Sequence, residues 1–302
     1  MNTRSSIVGE VTPISAHPDQ FLFVIGAMKS GTTSVFRLLS NHPQVCRPAE
    51  KEPDFFSDND VWANGFDAYY NLWEWLPGKH VVALEASTSY AKFPMLPHVP
   101  DRMSTLSGAR MKFVYIVRNP IERIESHARH ALYEGWFNGL NLSNDGTSSL
   151  IECTKYAQQI DQYVQRFPAE DLLILTNDEL RSDPRGAVLK ICEHAGLDPK
   201  MLPEADLEKA NDGGQYSRAR WSNTFAQSKA PVSMAIKYVL KLVVGLERLR
   251  RWHNSDALRV TGPRYQLDET ERAEVMEILT PDLRRLRDTY GVDIKGLWGI
   301  DV

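Results

Sequence analysis

Between positions 21 and 39 the chain reads FLFVIGAMKSGTTSVFRLL. Gly26 and Gly31 bracket four residues, Lys29 stands two places before the second glycine, and Ser30, Thr32, Thr33 and Ser34 supply hydroxyls. Glycine lets backbone N–H groups come close to an anion, and a helix that follows adds unpaired donors and the positive end of its dipole. The apolar run 21–25 has the character of a buried strand, and 34–40 carries apolar residues at helical spacing. The stretch is therefore built to hold a phosphate, with one cation beside it.

Two further groups could act on a phosphate ester. Arg118-Asn119-Pro120 is followed by Arg123 and Ser126, so that an arginine at a strand end and a serine eight residues on, across a helix start, can reach one phosphate. Earlier, Glu50, Glu52 and Asp54 stand beside Phe55-Phe56. A carboxylate beside apolar rings is expected to have its pKa raised by desolvation, which suits a general base. A nucleotide P-loop places its lysine after the second glycine; here Thr32 follows Gly31, and no clear acidic metal ligand ends a strand except Glu85.

This order of residues resembles the 5′-phosphosulfate loop of sulfotransferases that use 3′-phosphoadenosine 5′-phosphosulfate (PAPS), in particular the bacterial and glycan-modifying branch. The resemblance implies that Lys29 neutralises charge on the leaving phosphate oxygen and that the loop Lys29, Ser30, Gly31, Thr32, Thr33 and Ser34 holds the 5′-phosphate. It implies that Arg118 and Ser126 bind the 3′-phosphate, that Glu52 is the base for an acceptor hydroxyl, with an amine as the secondary alternative, and that 3′-phosphoadenosine 5′-phosphate (PAP) leaves without any metal being required. Asp54, Glu50 and Glu85 are the alternative bases. The resemblance covers most of 20–200, and two departures stand out. Ala86 follows Glu85 where many glycan sulfotransferases have lysine, and the late nucleotide-binding loop is matched only by 216–220, with Tyr216, Arg218 and Arg220 as its contacts. A P-loop small-molecule kinase and a non-catalytic nucleotide-binding protein are the competing readings.

The elements that must position these groups follow from periodicity. Apolar runs predict strands at 21–25, 80–84, 111–117 and 172–176, the second delivering the stretch 85–90 at its carboxyl end. Helices are predicted at 34–40, 120–133, 154–167, 184–195, 232–252 and 268–290, with Pro120 at a first helical position and a loop at 135–149. The aromatic-rich stretch 62–76 reads as a helix packed on the core, or as a wall for the acceptor. Strand-helix alternation predicts an α/β fold of the P-loop type: a central parallel sheet with helices on both faces, in one domain spanning 21–302 after a tail at 1–20, with a helical C-terminal part from about 225 to 302.

Composition sets the outer bounds. The chain has 302 residues, 42% hydrophobic and 25% charged, and a net charge of −4, so nothing draws it as a whole to nucleic acid. Cys46, Cys153 and Cys192 are scattered and odd in number, and no run of eighteen apolar residues occurs, so a cytoplasmic enzyme without a transmembrane segment is expected. Its partner is expected to be a small-molecule, lipid or sugar acceptor. The basic amphipathic stretch 232–252 could also touch a membrane surface.

Overall fold

The computed structural model describes residues 17–134, 149–203 and 265–302. The loop read at 135–149 except its last residue, the contacts Tyr216, Arg218 and Arg220, and the basic stretch 232–252 lie outside the described residues.

The described residues fall into two compact units, Met1–Arg118 with Tyr156–Asn211, and Asn119–Lys155 with Asp212–Val302. The first holds the sheet. Strands β1 (Gln20–Gly26), β2 (Val45–Cys46), β3 (Val82–Ala86), β4 (Arg110–Val117) and β5 (Leu172–Thr176) lie in the order β2-β3-β1-β4-β5. All four pairings are parallel. Every residue of β1 is buried, which is why its sequence is an unbroken apolar run rather than an alternating one.

The two faces differ in chemistry. On one, Leu22, Val24, Leu84, Val114 and Ile116 pack with Val35 and Leu39 of the helix Thr32–Leu39 and with Val188 and Ile191 of the helix Pro184–Ala195. The residues that alternate with them, Phe21, Phe23 and Phe113, form an aromatic layer on the other, with Phe23 stacked on each neighbour at 5.7 Å. Phe55 stacks on Tyr69 at 4.4 Å in the same layer, and Trp73 meets Phe21 edge-on. The aromatic stretch 62–76 thus gives the core Tyr69 and Trp73, while Trp62, Phe66, Tyr70 and Trp75 are half-buried at its edge. Of the helix expected there only Gly65–Tyr70 forms; the helix Asn59–Trp62 ends at the first residue of the stretch, and Gly65, with a left-handed φ of 75°, opens the second helix.

A second difference concerns Glu85. The strand predicted at 80–84 runs instead over Val82–Ala86, which puts Glu85 inside β3, fully buried on the aromatic face rather than beyond the strand end. Three hydroxyl groups make this burial tolerable, as described below.

The second unit is helical. Asn119 Oδ1 accepts from the N–H groups of Ile121 and Glu122, capping the helix Pro120–Glu134. Arg123, fully buried, donates to Leu150 O and Thr154 Oγ1, both at 2.7 Å, and so ties this helix to the segment beginning at Ser149. Glu125 accepts from Leu267 N and from Arg272 Nη2 at 2.8 Å, fastening the start of the long helix Glu269–Tyr290.

At the end of β1 a close approach demands glycine: a Cβ on Gly26 would lie 2.8 Å from Tyr115 Cε2 and 3.1 Å from Ala91 Cβ. Gly26→Ala should therefore cost about 1–3 kcal/mol of overpacking. Urea unfolding measures this, and a wild-type midpoint would show that the neighbouring ring yields without strain.

Candidate functional site

In an open parallel sheet, ligands collect outside the strand carboxyl ends where connections leave in opposite directions. Here β1 pairs with β3 on one side and β4 on the other, and the loop 27–31 rises from its end. The loop is a tight turn, with Ser30 N–H donating to Ala27 O at 3.1 Å. Lys29 holds a left-handed φ of 72°, a conformation that costs a non-glycine residue energy and that clusters at functional sites.

Two side chains from neighbouring strand ends take the loop's carbonyl groups. Arg118, just past β4, donates from Nη1 to Lys29 O at 3.0 Å, and Asn177, just past β5, donates from Nδ2 to Ser30 O at 3.0 Å. Gly31, at φ 103°, occupies the cap position of the helix Thr32–Leu39, and no side chain caps it. The N–H groups of Thr32 and Thr33 in its first turn are thus left for an anion, while the Ser34 N–H donates to Gly31 O at 3.0 Å. Glycine is needed at 31 for space as well, since a Cβ there would meet Asn177 Nδ2 at 3.2 Å and Leu180 Cδ1 at 3.3 Å. Among the loop's hydroxyl residues, Ser30 and Thr32 are buried, Thr33 is half-buried and Ser34 is exposed. Ser30 Oγ is buried with no hydrogen-bond partner among the described residues.

The acid-bearing segment sits above β3. Glu52 and Asp54 also hold left-handed φ values, 60° and 54°. Their backbone N–H groups are received in turn by Ala86 O at 3.1 Å and by Ser87 Oγ at 3.3 Å, and Phe56 N–H by Tyr90 Oη at 3.3 Å. Side chains bind the same two segments together: Thr88 Oγ1 donates to Glu52 Oε1 at 3.2 Å and Ser89 Oγ to Asp54 Oδ1 at 2.5 Å.

The environments push these carboxyl groups apart. Burial alone would raise Glu52, but the charge and hydrogen bond of Lys51, with Thr88 and Lys92, outweigh it and hold the group below the usual range. The raised pKa expected from nearby rings is therefore not found, because Lys51 Nζ lies 2.5 Å from Oε1 and the Glu52 side chain is 42% exposed. Asp54 goes the other way: burial raises it beyond what its bond from Ser89 recovers, and the charge of Glu52 adds to the rise. Glu85 is pushed up to about 7 by burial, against hydrogen bonds from Tyr69, Tyr90 and Ser87.

Of the residues singled out by sequence, the structure thus gathers Lys29, Ser30, Gly31 and Arg118 into one loop with the helix start at Thr32, Thr33 and Ser34. Glu52 belongs to the neighbouring segment above β3. Ser126 lies half-buried in the second unit, on the helix Pro120–Glu134. Sequence reasoning missed Asn177; its only signal was its place immediately after a strand, opening a helix whose preceding Thr176 forms a capping box with Glu179.

Residues 19–223, more than half of the chain, match the family described as "Sulfotransferase domain". The chain belongs to the PAPS-dependent sulfotransferase family. The human heparan sulfate glucosamine 3-O-sulfotransferase 3B1 is 28% identical over 185 residues, 58% of this chain and 45% of that protein. The human heparan sulfate glucosamine 3-O-sulfotransferase 6 is 27% identical over 199 residues, 61% of this chain and 56% of the relative. The chain spans about half the length of these curated relatives. A solved sulfotransferase from Alicyclobacillus acidocaldarius has the same fold, with a TM-score of 0.61 at 20% identity, covering 94% of this chain and 99% of that one.

The buried Glu85 gives a test of the electrostatics. A carboxyl whose folded pKa lies above its unfolded value binds protons more tightly when folded, so its contribution to stability falls as pH rises from about 4.5 to about 7. Glu85→Gln abolishes that titration. Wild type should lose about 3 kcal/mol relative to Glu85→Gln between pH 4 and 8, read as diverging melting temperatures. Parallel curves would contradict the raised pKa.

Proposed function

We propose that the protein transfers the sulfuryl group of PAPS to a hydroxyl of a small-molecule, lipid or carbohydrate acceptor, releasing PAP. The observation that carries this reading is the loop whose carbonyls are held by Arg118 and Asn177 while the first turn of the following helix is left without a side-chain cap. Such a loop fits an anion, and the buried Ser30 hydroxyl beside it adds a further polar group with no hydrogen-bond partner among the described residues. PAPS supplies an activated sulfuryl group on its 5′-phosphate.

The chain's own residues do the rest. Backbone N–H groups of 31–33 and the Thr33 hydroxyl orient the 5′-phosphate, and Lys29 neutralises the charge that grows on its bridging oxygen, an electrostatic contribution of the kind that weighs most in group transfer. The sequence resemblance gives the 3′-phosphate to Arg118 and Ser126, and Arg118 also holds the cradle through Lys29 O. Glu52 removes the acceptor's proton. Its lowered pKa keeps it ionised at neutral pH, at the cost of a smaller driving force for proton transfer.

The relatives' names favour a carbohydrate hydroxyl as acceptor. Ala86, which stands beside the buried Glu85 where many glycan sulfotransferases have lysine, argues against a densely sulfated chain. The three cysteines are buried free thiols, which supports placement in a reducing, cytoplasmic compartment.

The direct test is release of PAP from PAPS with a panel of glucosamine oligosaccharides, phenols and long-chain alcohols. Glu52→Gln should lower turnover with the best acceptor by about two to four powers of ten while leaving PAP affinity unchanged. An active Glu52→Gln together with an inactive Asp54→Asn would move the base to Asp54.

A further inference from the structure

Glu85 takes no part in the chemistry just described, yet it lies fully buried at the centre of a hydrogen-bonded group. Its Oε1 accepts from Ser87 Oγ at 3.1 Å and from Tyr90 Oη, and its Oε2 accepts from Tyr69 Oη at 2.6 Å. Because Ser87 and Tyr90 spend their protons on Oε1, their oxygens are left as acceptors. Those oxygens receive the N–H groups of Asp54 and Phe56. Two residues earlier, the Glu52 N–H reaches Ala86 O, on the strand residue next to Glu85. The amides of alternate residues 52, 54 and 56 are thus received in order by 86, 87 and 90.

We propose that Glu85 is a positioning residue: through Ser87 and Tyr90 it sets the direction of the hydrogen bonds that hold the 52–56 segment in the left-handed conformation presenting Glu52. This rests on the reading of Glu52 as the base. Two left-handed carboxylate residues, Glu52 and Asp54 on either side of Pro53, are costly by about 1–3 kcal/mol each, and such a conformation persists only where its surroundings impose it. Without an acceptor at Oε1, the Ser87 and Tyr90 hydroxyls would be free to rotate and donate elsewhere, and the two buried amides would lose oriented partners. The arrangement needs an oxygen at Oε1 and not a negative charge. An amide at 85 supplies that oxygen and can offer its NH₂ to Tyr69 Oη.

The test joins two readouts. In the double variant Ser87→Ala with Tyr90→Phe, which leaves Glu85 in place, the amides of Asp54 and Phe56 should exchange with deuterium at least about tenfold faster, while exchange in β1 stays unchanged. Sulfuryl transfer from [³⁵S]PAPS to the best acceptor of the panel should show kcat lowered about ten- to a hundredfold, with the Kd for PAP held within twofold, as a displaced base would give. Glu85→Leu should behave alike, and Glu85→Gln should restore kcat to within about threefold of wild type.

Unchanged exchange at Asp54 and Phe56 in the double variant overturns the proposal, as does a Glu85→Gln as inactive as Glu85→Leu. Should Glu85→Leu fail to fold, the double variant and Glu85→Gln still decide. Full turnover in Glu52→Gln is a separate result that sinks the base assignment itself, and it is distinguished from failure of the relay, which is read in exchange.

Discussion

A loop can offer donors to an anion only if its carbonyl groups are engaged elsewhere, and here two hydrogen bonds do this: Arg118 Nη1 to Lys29 O and Asn177 Nδ2 to Ser30 O. The strand order makes them possible, because β4 and β5 follow β1 across the sheet and bring their carboxyl ends, with Arg118 and Asn177, beside the loop. The two bonds explain why Lys29 can be held at a positive φ, since its carbonyl is gripped from outside. Replacing either donor leaves a carbonyl free to turn toward the bound phosphate, where it would repel it.

The acidic side of the site follows the same logic with opposite charge. Three carboxyl groups lie within one pair of segments, and their surroundings give each a different character. Lys51 keeps Glu52 ionised, burial raises Asp54, and Glu85 sits under the aromatic layer with hydroxyl donors on both oxygens. The aromatic face of the sheet is what makes this possible. Its rings exclude water from β3, while Tyr69 and Tyr90 place their hydroxyls where the buried charge needs them.

Much of the fold was legible because both faces of the sheet are covered. A strand such as β1 must then be apolar throughout, and 21–25 announces itself, as does 172–176, which matches β5 residue for residue. The loop could be read from Gly26, Lys29 and Gly31 because an anion site built from backbone N–H groups has few backbone solutions. Glu85 was misplaced because a charged residue reads as a strand end; only the hydroxyls of Tyr69, Ser87 and Tyr90, sixteen residues before and two and five after, make it an interior residue. The pKa of Glu52 was misjudged for a related reason. Neighbouring rings suggested desolvation, and burial does act to raise it, but the charge and hydrogen bond of Lys51, with Thr88 and Lys92, outweigh that effect. Asn177 escaped notice because a single amide after a strand carries no signal until the loop it binds has been folded beside it.

The account stands on the claim that this loop holds a 5′-phosphosulfate and not a nucleoside triphosphate with its metal. Calorimetry of PAP and of ATP, each with magnesium and with a chelator, addresses it most directly. PAP should bind at least about tenfold more tightly than ATP, and with the same affinity whether or not magnesium is present, since a charge-assisted contact to the extra 3′-phosphate is worth about 1.5–3 kcal/mol. Tighter binding of ATP, dependent on magnesium, would contradict the account and return the loop to the kinase reading.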